Sequence, residues 1–259
     1  MAPRGQSSVI AFVREVAPSL SACELTYLAR AAIDPERAAR QHGDYVRELE
    51  RLGCQLQWLP PLPEHPDGVF VEDTAVLVPE LAVVTRPGAG SRRGEVQSVA
   101  EALAPRLPLV RITAPATLEG GDVLRIERRV YVGVSGRSNA TGVAQLAAAL
   151  GPHGYEVRAV PMRGCLHLKS ACTYIPPDLL VINPSWVDPG LFAARRTIAV
   201  DEGEPFAANT FTVGAVTLVS AAYPRTRQRL QEAGVATRAL EVSELHKAEA
   251  ALTCLSLLL

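Results

Sequence analysis

The chain has 259 residues, with 26 Lys+Arg against 27 Asp+Glu and a formal net charge of -1. Apolar residues make up 48% and charged residues 20%, globular values that exclude wholesale disorder. The charge balance argues against non-specific binding of nucleic acid, which needs a basic excess, but leaves room for a locally charged small-molecule site.

No stretch approaches the roughly 18 uninterrupted apolar residues of a membrane span. The N-terminal segment 1–8 lacks the apolar core and cleavage site of a signal peptide, so a cytoplasmic protein is expected. Five cysteines, with no CxxC among them, do not suggest a disulfide framework. Cys165, His167 and Cys172 lie close in sequence, but their spacing fits no zinc motif.

In chain order, residues 10–14 read as a strand. Asp34-Pro35-Glu36 reads as an N-cap followed by proline at the first helical position. Tyr45, Val46, Leu49 and Leu52 then share a face and Gly53 supplies a stop, predicting a helix over 35–52 and a strand over 55–59. Strands are expected at 69–77 and 81–86, then a helix over 92–104 carrying Val96, Val99 and Leu103, then a strand at 109–112. Strands at 123–126 and 129–134 precede a helix over 139–150, with Val143, Leu146 and Leu150 on one face and Gly151 as its end. Further strands fall at 179–183 and 197–200, with a weak helix at 189–195 between them. The last elements are a strand at 211–219, a helix over 223–233 ending at Gly234, and strands at 236–242 and 252–258.

The order strand, strand, helix, strand therefore recurs, in units over 69–112, 122–160, 166–200 and 208–242. A fifth unit can be assembled from the two chain ends: 252–258, 10–14, 35–52 and 55–59. Joining the ends in one unit implies a closed ring, so the expectation is an α/β fold of five ββαβ modules around an axis. With no long linker or low-complexity segment, residues 1–259 read as a single domain.

The polar residues that open these units recur roughly every 40 to 50 positions, the spacing of a repeat architecture. They are Glu72, Glu119, His167, Asn209 and Cys254. Equivalent positions in a ring face its axis, so acids, an imidazole and a thiol would converge at one cleft. A Cys/His hydrolase acting on a cationic substrate needs that set.

At these residues the chain resembles the dimethylarginine dimethylaminohydrolase family of the guanidino-group-modifying (pentein) superfamily. The resemblance rests on Pro66–Asp73, Thr85–Ala89 with Ser91–Glu95, Leu118-Glu119-Gly120-Gly121-Asp122, Gly133–Asn139, Leu166-His167-Leu168-Lys169 and Leu252-Thr253-Cys254. These stretches run in the family's order over nearly the whole chain.

The resemblance implies a five-bladed α/β-propeller that cleaves asymmetric dimethylarginine and monomethylarginine to citrulline and the methylated amine. It implies Cys254 as a nucleophile forming a covalent thiouronium, His167 as acid and then base, and Glu119 as the group that orients His167. Glu72 and Asp73 would hold the guanidinium. Arg92 and Arg137 would clamp the α-carboxylate, and Asp67 the α-amino group. Leu25, through a looser match, would offer a backbone carbonyl from a lid, and Ala248 would line the pocket. The resemblance supplies no metal ligand and no cofactor. The expected partner is a small methylated arginine, bound by a monomer or homodimer that engages neither nucleic acid nor membrane.

Each residue also has a plainer reading. A cysteine in an apolar C-terminal strand is usually core, and His167 between leucines could be a satisfied buried histidine. Glu72-Asp73 could be a solvated turn and Glu119 a turn start. Arg92 and Arg93 could be surface charges, and Arg93 is taken as structural. Asn209 is expected to serve the backbone of its own unit, and Cys23, Cys54, Cys165 and Cys172 to be passive. The chain departs from the family where Asp-Gly usually precedes the nucleophile: here the residues are Ala248-Glu249-Ala250-Ala251. That puts the preference among methylated arginines in doubt. An arginine deiminase, with the same residue set, is the competing enzyme reading; a silent propeller that binds arginine-like ligands is the non-enzymatic one.

Overall fold

The computed structural model describes residues 9–259, so segment 1–8, where no signal peptide was expected, lies outside the described residues. Strand β1 (Ile10–Val13) leads through a long loop to helix α1 (Pro35–Arg51). The Asp34 carboxylate accepts from the N–H groups of Glu36 and Arg37, both at 3.0 Å, and so starts the helix. Gly53, at φ 89, ends it in a conformation that a side chain would strain, and β2 (Gln55–Trp58) follows.

The next module holds β3 (Ala75–Val78), β4 (Leu81–Val84), α2 (Val96–Leu103) and β5 (Leu109–Arg111). After it come β6 (Val123–Ile126), β7 (Arg129–Val134), α3 (Ala140–Leu150) and β8 (Glu156–Pro161). A short helix α4 (Leu168–Ala171) then opens the module of β9 (Cys172–Ile175), β10 (Leu179–Ile182) and β11 (Arg196–Ala199). The chain finishes with β12 (Phe211–Val213), β13 (Val216–Ser220), α5 (Pro224–Glu232), β14 (Thr237–Leu240), α6 (Ser243–His246) and β15 (Leu257–Leu258).

These strands form five three-stranded sheets, ordered β15-β1-β2, β3-β4-β5, β6-β7-β8, β9-β10-β11 and β12-β13-β14. In each the first pair is antiparallel and the second parallel. The middle strands are apolar and buried along nearly their whole length, as β4 (LAVV) and β10 (LLVI) illustrate, because both faces are covered. The first strands pack against one another and surround a central cavity of about 330 Å³, with β5, β11 and β14 at the exposed rim. Five α/β modules around an axis are thus what the repeat pattern led one to expect, with both chain ends sharing one sheet. Among the described residues no helix is long and apolar enough to cross a membrane.

Several boundaries differ from the sequence reading, for local reasons. The expected strand at 69–77 begins only at Ala75, since Val71–Thr74 form a 3-10 turn in which the Thr74 hydroxyl donates to Val71 O at 2.6 Å. Likewise 252–258 splits into a turn at Leu252–Leu255 and a two-residue strand. Residues 211–219 form a hairpin through Gly214, at φ 57. The weak helix at 189–195 is a single turn, Pro189–Leu191, capped by Asp188. Gly151 continues α3 into a further turn, and Gly154, at φ 80, is the true stop.

Candidate active site

The turns that shortened the expected strands are what build the site. Val71–Thr74, Gly120–Asp122, His167 with α4, and Leu252–Leu255 each precede the first strand of a module, so all four meet at one end of the axis. Their close approach explains the glycine pair. A Cβ on Gly120 would lie 2.0 Å from Glu72 O, and one on Gly121 would lie 2.6 Å from His167 Nδ1 and 2.8 Å from Asp73 Oδ1.

At the centre, His167 Nε2 lies 2.7 Å from Glu119 Oε2, with Glu119 fully buried and His167 5% exposed. The other ring nitrogen, Nδ1, faces Asp73 Oδ1 at 3.9 Å. Asp73 is held by Gly121 N–H at 2.9 Å and by Arg92 Nη1 at 2.6 Å. Cys254 is half-buried, and its Sγ accepts from Ala251 N–H at 3.5 Å. These groups share a cleft lined also by Asp67, Phe70, Arg137, Leu166, Ala248 and Glu249.

The charges follow from this packing. Burial works against a charge on His167, but the carboxylates of Asp73, Asp122 and Glu119 outweigh it and raise the imidazole to about 9. Burial alone would raise Glu119, yet its bond to His167, with Arg92 and Arg137 nearby, lowers it to about 2. Asp122 is pushed up to about 6, chiefly by burial. Burial, reinforced by Glu72 and Asp73, pushes the Cys254 thiol far up. At neutral pH an imidazolium therefore sits beside an ionised Glu119, with a protonated thiol in the same cleft.

Most of the residues singled out from sequence line the cleft, and two of the ten lie one layer away besides buried Glu119. Glu72 sits beneath: Oε1 pairs with Lys169 Nζ at 2.6 Å, and Oε2 accepts from the Thr253 hydroxyl at 2.6 Å. Leu25 packs against the apolar cluster that includes Ala248 and Leu252, while its neighbour Glu24 lines the cleft. Asp67 accepts from Glu24 N–H at 3.1 Å.

Arg92 is buried rather than a surface charge at a helix start. Nε and Nη2 serve Glu95, Nη2 also donates to Phe70 O at 3.2 Å, and Nη1 serves Asp73, which leaves one Nη1 hydrogen unspent among the described residues. Arg137 reaches the Thr26 hydroxyl at 3.1 Å and Glu119 Oε1 at 3.5 Å. Contrary to expectation, the Asn209 side chain bonds to units other than its own. It donates to Lys169 O and the Thr253 hydroxyl, both at 3.0 Å, and so ties two other modules together.

Sequence reasoning missed Asp122, which is fully buried and accepts from the Ser135 hydroxyl at 2.7 Å and Leu168 N–H at 3.0 Å. Its position after the glycine pair was the available signal. Asp73, Glu119 and His167 also bring donor atoms within 4.8 Å of one another, a set that could hold a cation only by surrendering the bonds just described. Cys23, Cys54, Cys165 and Cys172 are buried free thiols.

The chain is similar to known proteins over most of its length. The arginine deiminase family profile matches residues 110–217. The chain is 35% identical over 226 residues to N(G),N(G)-dimethylarginine dimethylaminohydrolase of Pseudomonas aeruginosa, covering 86% of this chain and 89% of that protein. It is 39% identical over 248 residues to the protein of that name from Streptomyces coelicolor, covering 95% of each. A solved structure of the Pseudomonas aeruginosa enzyme complexed with citrulline superposes with a TM-score of 0.91 at 33% identity, over 96% of this chain and 98% of that one. The fold, the axial turns and these similarities converge: the chain belongs to the dimethylarginine dimethylaminohydrolase family.

Proposed function

We propose that this protein hydrolyses Nω-methylated arginines, asymmetric dimethylarginine and monomethylarginine, to citrulline and dimethylamine or methylamine. The observation that carries the reading is the buried His167–Glu119 pair at 2.7 Å, set in one cleft with Asp73 and Cys254.

Asp73 takes the guanidinium, with the Glu72 carboxylate beneath adding negative potential. Arg137 takes the α-carboxylate with the free Nη1 hydrogen of Arg92 beside it. Asp67 and the Leu25 carbonyl take the α-amino group. Ala248 closes the wall beside the nucleophile. The arriving cation reverses the sign of the field at Cys254, the thiol gives its proton to solvent, and the thiolate attacks the guanidinium carbon. The His167 imidazolium protonates the departing amine, and a covalent thiouronium remains. Neutral His167 then takes a proton from water, whose attack releases citrulline and restores the thiol. Every step is assigned to side chains, with no cofactor and no resident metal.

The whole chain acts as one hydrolase domain in this reading, a cytoplasmic monomer or homodimer working on a free amino acid and on neither nucleic acid nor membrane. The arginine deiminase profile match favours one second reading, in which unmethylated arginine is the substrate. Citrulline release from dimethylarginine, monomethylarginine and arginine in parallel decides between them. Preference for the methylated substrates supports the proposal; turnover of arginine alone, or of none, overturns it.

A further inference from the structure

The cleft is narrow. As shaped, it encloses about 20 Å³, room for about one water-sized molecule. An amino acid the size of a methylated arginine cannot enter until part of the wall moves. The segment over the cleft, residues 24–30, has no regular secondary structure, and Tyr27 is 53% exposed. Leu25 packs one part of it against the apolar core, and polar attachments tie down the rest.

Three of those attachments converge on one side chain. The Glu249 carboxylate accepts from the N–H groups of Thr26, at 2.9 Å, Tyr27 and Leu28. Charge-assisted bonds to successive backbone donors are the stronger class of hydrogen bond. Glu249 also sits at φ 56, a left-handed conformation that a non-glycine residue keeps only when its surroundings over-determine it. That conformation arises in the turn that follows α6, where the Glu249 N–H reaches His246 O at 3.0 Å and the Ala250 N–H reaches Leu245 O at 3.2 Å. The turn then aims the side chain across the cleft at the lid. Five residues onward lies Cys254, so the residue that fastens the lid belongs to the loop that carries the nucleophile. A solvated surface carboxylate would show neither the convergent donors nor the cleft-lining position.

We propose that Glu249 is a positioning residue: its carboxylate latches segment 24–30 over the cleft, and the latch must open for substrate to enter and product to leave. Only the turnover arm of the test rests on the hydrolytic reading above. Arg137, bonded to the Thr26 hydroxyl, steadies the same segment from the carboxylate-binding side, so the lid is fastened at both ends of the substrate.

The test uses the full chain with Glu249→Gln, which keeps the side chain's shape, and Glu249→Ala. Hydrogen exchange at the amides of residues 26–28 should accelerate about tenfold or more. Alkylation of Cys254 by neutral iodoacetamide without substrate should accelerate by about the same factor. Both readouts are independent of substrate identity. With dimethylarginine, KM should rise several-fold while kcat is kept or increased, a split that general damage to the site would not produce. Exchange and alkylation unchanged in both variants would overturn the latch. Faster exchange and alkylation in a protein inert toward every arginine would sustain the latch and sink the hydrolytic reading instead. A variant whose melting temperature collapses along with kcat would show Glu249 to be a structural support, which also overturns the proposal.

Discussion

The Thr253 hydroxyl donates to Glu72 Oε2 at 2.6 Å, joining residues 181 positions apart in the chain. Each partner stands next to a residue with a role in the proposed reaction: Asp73 follows Glu72, and Cys254 follows Thr253. One buried bond therefore ties the segment that carries Asp73, the proposed guanidinium acceptor, to the segment that carries Cys254, the proposed nucleophile. Lys169, on the other Glu72 oxygen, and Asn209, on Thr253, complete the brace.

That geometry separates binding from chemistry. In the proposed binding mode Arg137 meets the unreacting end of the substrate, so Arg137→Ala should raise KM more than it lowers kcat. Asp73→Ala should damage both, because Asp73 is assigned the guanidinium and its carboxylate lies 3.9 Å from His167 Nδ1. Loss of a desolvated charged partner costs about 2–5 kcal/mol. Steady-state kinetics check this, and near-wild-type values for both variants would misplace the substrate.

Activity should fall on the alkaline side as pH passes about 9, where His167 loses the proton it gives to the leaving amine. Because this pKa is raised from its ordinary 6.5, the group's contribution to stability is complete below 6.5 and is lost as pH rises through about 9. Glu119 has the opposite sign: lowered from 4.5 to about 2, its contribution is present above 4.5 and disappears as pH falls through about 2. Glu119→Gln should move the alkaline limb to lower pH. A pH–rate profile with imidazole NMR measures the shift, and an unmoved limb would remove Glu119 from this role.

Cys254 should behave as a protonated thiol in the free enzyme and be activated by its own substrate. A small cationic alkylating amidine should label it far faster than iodoacetamide. Cys254→Ser should abolish citrulline formation while substrate still binds. Peptide mass mapping locates the label; modification at Cys23, Cys54, Cys165 or Cys172 in proportion to lost activity would contradict the assignment.

Chelators should leave turnover intact, because every step is assigned to side chains. Added zinc should inhibit, since Asp73, Glu119 and His167 converge within 4.8 Å and Cys254 lines the same cleft. Turnover lost in chelator and restored by added metal would require a different mechanism.

Gly120→Ala should destabilise the fold as well as the site, because its Cβ would lie 2.0 Å from the Glu72 carbonyl oxygen, a backbone atom that cannot step aside. Thermal unfolding and kcat should fall together. A folded, active variant would show that the two turns can separate.

The repeat of strand, strand, helix, strand, and the return of polar residues at its openings, were legible without coordinates because both are local. Capping residues such as Asp34, and apolar periodicity within helices, act over a few neighbours and are read directly from order. The same applies to Glu119, His167 and Cys254, whose equivalent positions in successive units implied that they meet. What the sequence could not carry was where apolar runs stop being strands. Val71–Thr74 and Leu252–Leu255 are as apolar at their edges as any strand, yet contacts with distant turns fold them into the site. Nor could it show that Glu72 lies beneath the cleft, that Arg92 is buried between Asp73 and Glu95, or that Glu249 reaches the lid. Those relations join residues brought together only when the ring closes. Their charges and roles depend on burial and on partners that proximity in the chain does not specify.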